Sequence, residues 1–243
     1  MNLLALDTST EWMSIAVQRA GQALPWVHHA PGGALTSTQL IPQIQALMAQ
    51  SGLRFEALQA IVFGAGPGSF TGLRSACAVA QGLGLGANLP LLPVDTLLAV
   101  AEDARLQLAA CDPFQVTALL DARMDEMYAA QYVFDSNKWS IIKGCSLIKP
   151  EDLGGFTDTD GVYPMALLAG NVFAAYGARL PPALTQRISA LPTATALLRL
   201  APALLAAGAA VSAAQALPTY VRNKVAQTTR ERADAKVQAA LLS

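Results

Sequence analysis

The chain has 243 residues, 53% of them hydrophobic, and a length that suits one large lobe or two modest ones. Its 16 Lys and Arg and 17 Asp and Glu give a net charge of −1, so no general electrostatic attraction to nucleic acid is expected. Cys77, Cys111 and Cys145 are too widely spaced for a zinc-ligand pattern or a disulfide framework, which favours a reducing compartment.

The N-terminal residues carry no basic segment, and Asp7 interrupts the first apolar run before it could act as a signal peptide. The most apolar later stretch, 194–217, is broken by Arg199 and Pro202, which argues against a membrane span. We therefore expect a cytoplasmic protein with no membrane contact.

The first half of the chain predicts strands and helices in alternation. They are strands at 3–6, 13–18 and 26–29, a helix at 36–50, a strand at 60–64, a helix at 71–87 and a strand at 91–94. Leu40, Ile44 and Leu47 have helical spacing in the first helix, where Pro42 is tolerable only within the first turn. Asp95 can cap the helix that follows the last strand.

The second half repeats this order. It predicts strands at 115–120, 127–134, 140–148 and 163–168, with alanine-rich helices after them. A strand meander followed by helix, strand and helix, and then a second strand meander, predicts an α/β fold of two similar lobes, each a small mixed sheet with helices. We assign residues 1–105 to an N-terminal lobe, 106–215 to a C-terminal lobe, and 216–243 to a C-terminal helix that rejoins the first lobe.

The helices predicted at 36–50 and 71–87 both lack a charged face. Residues 30–53 contain no charged side chain, and Arg74 is the only one in residues 57–94. A helix on the outside of an α/β domain normally shows a charged face to water. Either both helices are buried inside this chain, or another subunit covers a weakly polar face. The second interpretation is favoured, because so short a chain cannot easily bury both helices on all sides.

Two segments carry candidate phosphate-binding residues. Asp7 and Thr8 follow the first strand, where a phosphate-binding fold places a carboxylate near a metal and hydroxyls near a phosphate. Gly66 and Gly68 precede a helix whose first N–H groups can hold an anion. These four residues are our candidates for a nucleotide or phosphate site. A tight turn and a close strand-to-helix connection explain the same residues, and the segment matches neither a Walker A loop nor G-x-G-x-x-G.

Other catalytic chemistry finds little support. Asp121, Asp125 and Glu126 cluster at a predicted hairpin bend, where solvated charges are commoner than acid and base catalysts. His28 and His29 are the only histidines and point to opposite faces of a strand, so they cannot easily share a metal. No G-x-S-x-G segment is present. Residues 222–236 carry five basic and two acidic side chains, which indicates a solvated terminal helix or contact with RNA or an acidic partner.

Four segments in this order resemble the TsaB family, also called YeaZ: LLALDTST, GAGPGSFTGLRSACAVAQGLGLGANLP, DARMDEMY and LPTYVRNKVA. The resemblance covers residues 3–226 and is most specific in the glycine-rich block. It implies the two-lobed actin-like ATPase fold, abbreviated ASKHA. It also implies a non-catalytic subunit that binds TsaD, the paralogue that transfers a threonylcarbamoyl group to adenosine 37 of tRNAs reading ANN codons, with TsaE as a further member of the complex.

The same resemblance implies how the subunit works. TsaD-like enzymes hold a metal with an H-x-x-x-H motif on a helix of their first lobe. At the matching place, residues 36–42 of this chain read TSTQLIP and include no histidine, which argues against the catalytic role. The two uncharged helices would pack against the matching pair of TsaD, or of a second copy as a homodimer when the protein is isolated. The expected contact residues are Leu40, Ile44, Leu47, Phe70, Leu73, Arg74, Cys77 and Gln81.

No tightly bound cofactor is expected, although ATP or ADP at the shared interface stays open, and contact with tRNA would be indirect or weak. The alternative function is a small-molecule kinase or ATPase of the same superfamily that uses Asp7 and the glycine-rich segment on nucleotide. Against this alternative, only Ala169, Gly170 and Asn171 stand where a fuller adenosine-binding glycine motif would be expected.

Overall fold

The computed structural model describes residues 1–110, 112–157, 167–181 and 186–222. The first half contains β1 (Leu3–Asp7), β2 (Trp12–Gln18), β3 (Trp26–Pro31), α1 (Thr36–Ser51), β4 (Ala60–Gly66), α2 (Phe70–Ala87), β5 (Leu91–Asp95) and α3 (Thr96–Leu108). The second half contains β6 (Phe114–Arg123), β7 (Glu126–Asp135), β8 (Lys138–Ile148), α4 (Leu153–Thr157), β9 (Leu167–Gly170), α5 (Phe173–Tyr176), β10 (Arg187–Ser189) and α6 (Ala194–Ala206).

The strands form two five-stranded sheets with the same topology. The first sheet has the order β3-β2-β1-β4-β5 and the second β8-β7-β6-β9-β10. In each sheet the first strand pairs antiparallel with the meander on one side and parallel with the later strand on the other. The predicted two-lobed α/β fold with a mixed sheet in each lobe is confirmed.

The first sheet is covered on both faces, which explains its apolar strands. Every residue of β1 and β4 is buried. Leu40 and Ile44 of α1 and Ala76 of α2 pack on one face of the sheet, and Leu197 of α6 packs on the other. Strands buried on both faces read as continuous hydrophobic runs rather than as an alternating pattern.

The lobe boundaries differ from the predicted ones. Helix α6 packs on the first sheet, and the Ala194 backbone N–H donates to Ser14 Oγ in β2 at 2.8 Å. The chain therefore returns to the first lobe with α6 rather than near Ala216, because the small and apolar face of α6 fits closely against β1 and β2. In the other direction, Val100 and Ala104 of α3 pack in the core of the second lobe. The predicted C-terminal helix lies largely outside the described residues.

Two element predictions were also inaccurate. Helix α1 continues through Pro42 well beyond its first turn. Pro42 is exposed, so water can bond the carbonyl that loses its helical partner. Strand β9 spans Leu167–Gly170 and so ends two residues later than predicted; the predicted start at 163 lies outside the described ranges. No helix in the described ranges is long and apolar enough to cross a bilayer.

A buried carboxylate joins the two helices that connect the lobes. Glu102 of α3 accepts hydrogen bonds from Arg105 Nε and Nη2 at 2.9 and 2.8 Å. It also accepts from Trp139 Nε1 of β8 at 2.9 Å and from Arg199 Nε of α6 at 3.2 Å. These bonds link α3, α6 and the second sheet at one junction.

Candidate functional site

A cleft of about 440 Å³ separates the two lobes. Its walls come from the turn between β1 and β2, the segment between β4 and α2, the turn between β6 and β7, and a stretch near the end of the described chain. The polar or charged side chains among its lining residues are Ser9, Thr10, Glu11, Ser69, Asp121, Arg123, Tyr128, Asn171, Thr219, Tyr220 and Arg222.

Asp7 at the end of β1 points into the protein rather than into the cleft. It is 1% exposed, and its Oδ1 accepts from the Ser9 backbone N–H at 2.9 Å and from Ser9 Oγ at 2.7 Å. Its Oδ2 is buried and has no hydrogen-bond partner among the described residues. Burial raises the pKa of Asp7 from 3.8 to about 7. A Cβ on Gly64 would lie 1.8 Å from Oδ2, so the carboxyl group fills the space that this glycine leaves.

The first-lobe turn (residues 8–11) packs directly on the glycine loop (residues 64–72). Thr8 Oγ1 donates to the Gly72 carbonyl at 2.6 Å, and the Ser69 backbone N–H donates to the Ser9 carbonyl at 2.7 Å. A Cβ added to Gly72 would lie 1.7 Å from the Thr8 carbonyl oxygen. A Cβ added to Gly68 would lie 2.6 Å from the Ser9 carbonyl oxygen. Glycine is required here because the two backbones approach too closely for any side chain.

The predicted nucleotide-binding residues are therefore mostly withdrawn from the cleft. A Cβ on Gly66, whose φ is 121°, would lie 2.4 Å from the Thr219 carbonyl oxygen. Of the four candidates, only Gly68 lines the cleft. A magnesium-bound nucleotide does not fit this arrangement, because Asp7 faces inward and Thr219 covers Gly66. Among the described residues, no group of three or more His, Cys, Asp or Glu side chains is placed to hold a metal.

The second-lobe turn (residues 123–126) is built differently. Arg123, Met124 and Asp125 have φ values of 60°, 54° and 65°, a conformation that L side chains rarely adopt. Asp125 pairs with Arg179, which lowers the pKa of the Asp125 carboxyl. An ion pair with a side chain outside the turn thus helps to hold it.

Asp121, just before the second-lobe turn, is also held in place. Its backbone N–H donates to Asn171 Oδ1 at 2.9 Å, and Tyr176 donates its phenolic proton to Asp121 Oδ1 at 2.9 Å. Burial is the main cause that raises the pKa of Tyr176 to about 12. The carboxyl of Asp121 also pairs with Arg123 at 3.2 Å, so the contacts of Asp121 fix the end of β6 next to the turn.

Five of the eight predicted partner contacts lie in the core of this chain. Leu40, Ile44, Leu47, Leu73 and Cys77 are each at most 4% exposed. Their prediction as contact residues is corrected, because the helical period turns them toward the first sheet. Phe70, Arg74 and Gln81 keep some exposure on α2.

The outward face of α1 and α2 carries other apolar side chains, which the sequence prediction missed. Ile41 is 48% exposed, Leu85 is 78% exposed, and Leu35, just before α1, is 59% exposed. The signal was present, since residues next to the inward Leu40 must point outward in a helix. Arg74 is the only charged residue in either helix. Its guanidinium carbon lies 3.7 Å from the ring centre of Phe70.

Comparison with known proteins identifies the family. A family model described as TsaD, tRNA N6-adenosine threonylcarbamoyltransferase, matches residues 33–242. The chain is 35% identical to the tRNA threonylcarbamoyladenosine biosynthesis protein TsaB of Haemophilus influenzae, an alignment that covers 93% of this chain and 95% of that protein. The chain belongs to the TsaB family. Its Escherichia coli TsaB relative is 32% identical over 93% of this chain and 96% of its own length.

A solved structure supports the same conclusion. The structure of YeaZ from Pseudomonas aeruginosa matches with a TM-score of 0.80 and 34% identity, covering 90% of this chain and 99% of that one. The two-lobed actin-like fold implied by the resemblance is thereby confirmed. Because the TsaB relatives are named as threonylcarbamoyladenosine biosynthesis proteins, membership of their family indicates that this chain takes part in that tRNA modification.

Proposed function

We propose that this chain is a non-catalytic subunit that binds a TsaD-type transferase and supports it in forming N6-threonylcarbamoyladenosine at position 37 of tRNAs reading ANN codons. The outward face of α1 and α2 is the observation that carries the proposal. It presents exposed Ile41 and Leu85 with no acidic residue in either helix.

A solvent-facing helix pair without ion pairs is unusual for an isolated domain, whereas a contact surface is depleted of charge at its centre. Ala78 and Gly82 are exposed on α2, so another helix can approach its backbone closely. A stable interface of this kind buries roughly 800 Å² per partner, an area that two adjacent helices can supply. The same face can pair with a second copy, which makes a homodimer the expected state of the isolated protein.

The alternative of a small-molecule kinase or ATPase is not favoured. It requires Asp7 to act on a metal or phosphate in the cleft, and this carboxyl group is turned into the protein. In our proposal ATP or ADP, when present, lies at the interface shared with the partner, TsaE joins the complex, and contact with tRNA is indirect. The site of action would be the cytoplasm.

Size-exclusion chromatography with light scattering, alone and with the TsaD-type enzyme of the same organism, tests the proposal. The wild-type chain should form a stable mixed complex. Leu85→Arg should weaken it at least ~10-fold, because a desolvated charge would sit in the contact. Leu24→Arg is the matched control, since Leu24 is 80% exposed in the connection between β2 and β3.

Both variants should keep the unfolding midpoint of the wild-type chain. A wild-type chain that forms no mixed complex at any salt concentration would contradict the proposal. Equal loss of affinity in the two variants would remove the outward face of α1 and α2 as the contact. Transfer of threonylcarbamoyl to tRNA, measured with and without this subunit, then tests its supporting role.

A further inference from the structure

We propose that the segment of residues 211–222, called the strap below, is an internal clamp across the cleft. Its first part is anchored on the first lobe, and Arg222 at its end holds the second-lobe turn. The strap therefore fixes how far the two lobes stand apart at the cleft without any bound ligand. This inference does not depend on the proposed function.

The first anchor is a series of backbone contacts along the first lobe. Val211 exchanges two hydrogen bonds with Leu91, at 2.9 and 2.8 Å, and so extends the first sheet beyond β5. The Thr219 backbone N–H donates to the Ala65 carbonyl of β4 at 2.6 Å. Between these points Ala216 is fully buried in the first-lobe core.

Side chains along one side of α2 strengthen this anchor. Gln81 Nε2 donates to the Ala216 carbonyl at 2.9 Å, and Cys77 Sγ lies 3.5 Å from the same oxygen. Arg74 Nε donates to the hydroxyl of Tyr220 at 3.0 Å. Positions 74, 77 and 81 share one side of a helix. Three residues that the sequence assigned to a partner protein are thus engaged by the strap of their own chain.

Arg222 forms the second anchor, on the other lobe. Its side chain is 13% exposed and pairs with the carboxylate of Glu126. Its Nη2 also donates to the Arg123 carbonyl at 3.2 Å, and its Nη1 lies 2.8 Å from Met124 Sδ. The arginine therefore contacts three residues of the second-lobe turn.

This turn depends on outside support. Three consecutive residues with side chains adopt the left-handed region, which residues other than glycine, asparagine and aspartate rarely visit, and Arg123 and Met124 are none of these. Arg179, from the second lobe, pairs with Asp125. Arg222, at the end of the strap, contacts the residues of the turn on either side of Asp125. Arg222 follows Thr219, whose backbone N–H is bonded to β4, by three residues that span at most roughly 10 Å, so the lobes cannot move far apart there without breaking one of these two contacts.

Hydrogen exchange of the full chain tests the clamp. In Arg222→Gln the amides of residues 122–127 should exchange at least ~10-fold faster, since a charge-assisted hydrogen bond is lost from a partly buried site. Amides 61–63 in β4 and 116–119 in β6 should keep their rates. Arg199→Gln is the matched control, because Arg199 pairs with Glu102 at the junction of the connecting helices and should leave residues 122–127 unchanged.

Charge exchange separates a specific pair from a general loss of stability. Arg222→Glu alone should speed exchange at residues 122–127, and adding Glu126→Arg should bring the rate back to within about threefold of wild type. Unchanged exchange in Arg222→Gln would overturn the proposal. Equal acceleration of exchange in every strand would also overturn the proposal, because it would show global destabilisation. So would a double variant whose exchange at residues 122–127 is as fast as that of Arg222→Glu alone.

Discussion

The two lobes share one strand order but stabilise their turns at the cleft in different ways. In the first lobe, Thr8 and Ser9 bond to the backbone of the glycine loop of the same lobe. In the second lobe, the left-handed turn relies on arginine side chains, one of which comes from the strap. The comparison shows that topology does not decide how a turn is stabilised. The side chains that packed segments bring to each turn decide it.

The segments after the parallel strands explain the contrast. Helix α2 has 18 residues, and its N-cap Ser69 accepts from the Gly72 backbone N–H. Helix α5 has 4 residues, and its N-cap Val172 has no side-chain hydrogen bond to offer. Within the described residues the second lobe thus has no long helix beside its turn, and Asn171 supplies a single bond to the Asp121 backbone instead.

Asp7 should give the largest effect, through the pH dependence of stability. Its pKa is about 7 in the folded chain against 3.8 ordinarily, so the folded state keeps a proton that the unfolded chain releases as pH rises. The wild-type chain should therefore lose on the order of 4 kcal/mol of unfolding free energy between pH 4 and pH 7 through this group. Asp7→Asn should remove that loss.

Urea unfolding of both chains across this pH range is the measurement. The unfolding free energy of Asp7→Asn minus that of the wild-type chain should rise steadily toward pH 7. A difference that stays constant with pH would show that the first-lobe turn does not hold a protonated carboxyl group.

Gly72 tests the close contact between the glycine loop and the first-lobe turn. Gly72→Ala should destabilise the chain by ~3 kcal/mol, because its Cβ would collide with the Thr8 carbonyl. Gly82→Ala is the control in the same helix, since a Cβ there meets nothing within 4 Å. It should stabilise by up to ~1 kcal/mol. Chemical denaturation measures both, and similar effects in the two variants would argue against the close backbone approach.

Ser69 should give the smallest effect. Ser69→Ala removes the N-cap of α2 and should cost about 0.5–1 kcal/mol. Thermal unfolding is a sufficient measurement, with Ser69→Asp as a variant that should retain the cap. If Ser69→Ala and Ser69→Asp were equally stable, the side-chain cap of α2 would not contribute to the difference between the two lobes.

Much of the fold could be predicted from the sequence. The buried strands around Leu4 and Ile61 and the helix around Ile44 show clear hydrophobic patterns, and Asp95 caps α3 as predicted. These features depend on residues close together in sequence, which patterning and propensity report directly. The lobe boundary was wrong because the alanine-rich α6 has no local feature that tells which sheet it covers.

The cleft was harder to predict, because its residues meet only in three dimensions. Asp7 and Gly66 suggested a phosphate site, but the contacts at Gly64 and Thr219 that withdraw them cannot be read from spacing. The resemblance assigns Arg74 and Gln81 to a partner contact, and nothing in the sequence shows that residues near 216–220 lie against them. Long-range pairing of this kind requires the structure.

The junction at Glu102 gives this protein a built-in optical reporter. Trp139 donates to that buried carboxylate and lies within 5.1–6.3 Å of the rings of Phe114, Tyr132 and Phe134. Trp12 and Trp26, the other two tryptophans, belong to the first lobe. With Trp12 and Trp26 replaced by phenylalanine, the emission of a single indole would follow rearrangement where the two lobes join, in the unlabelled protein and in real time.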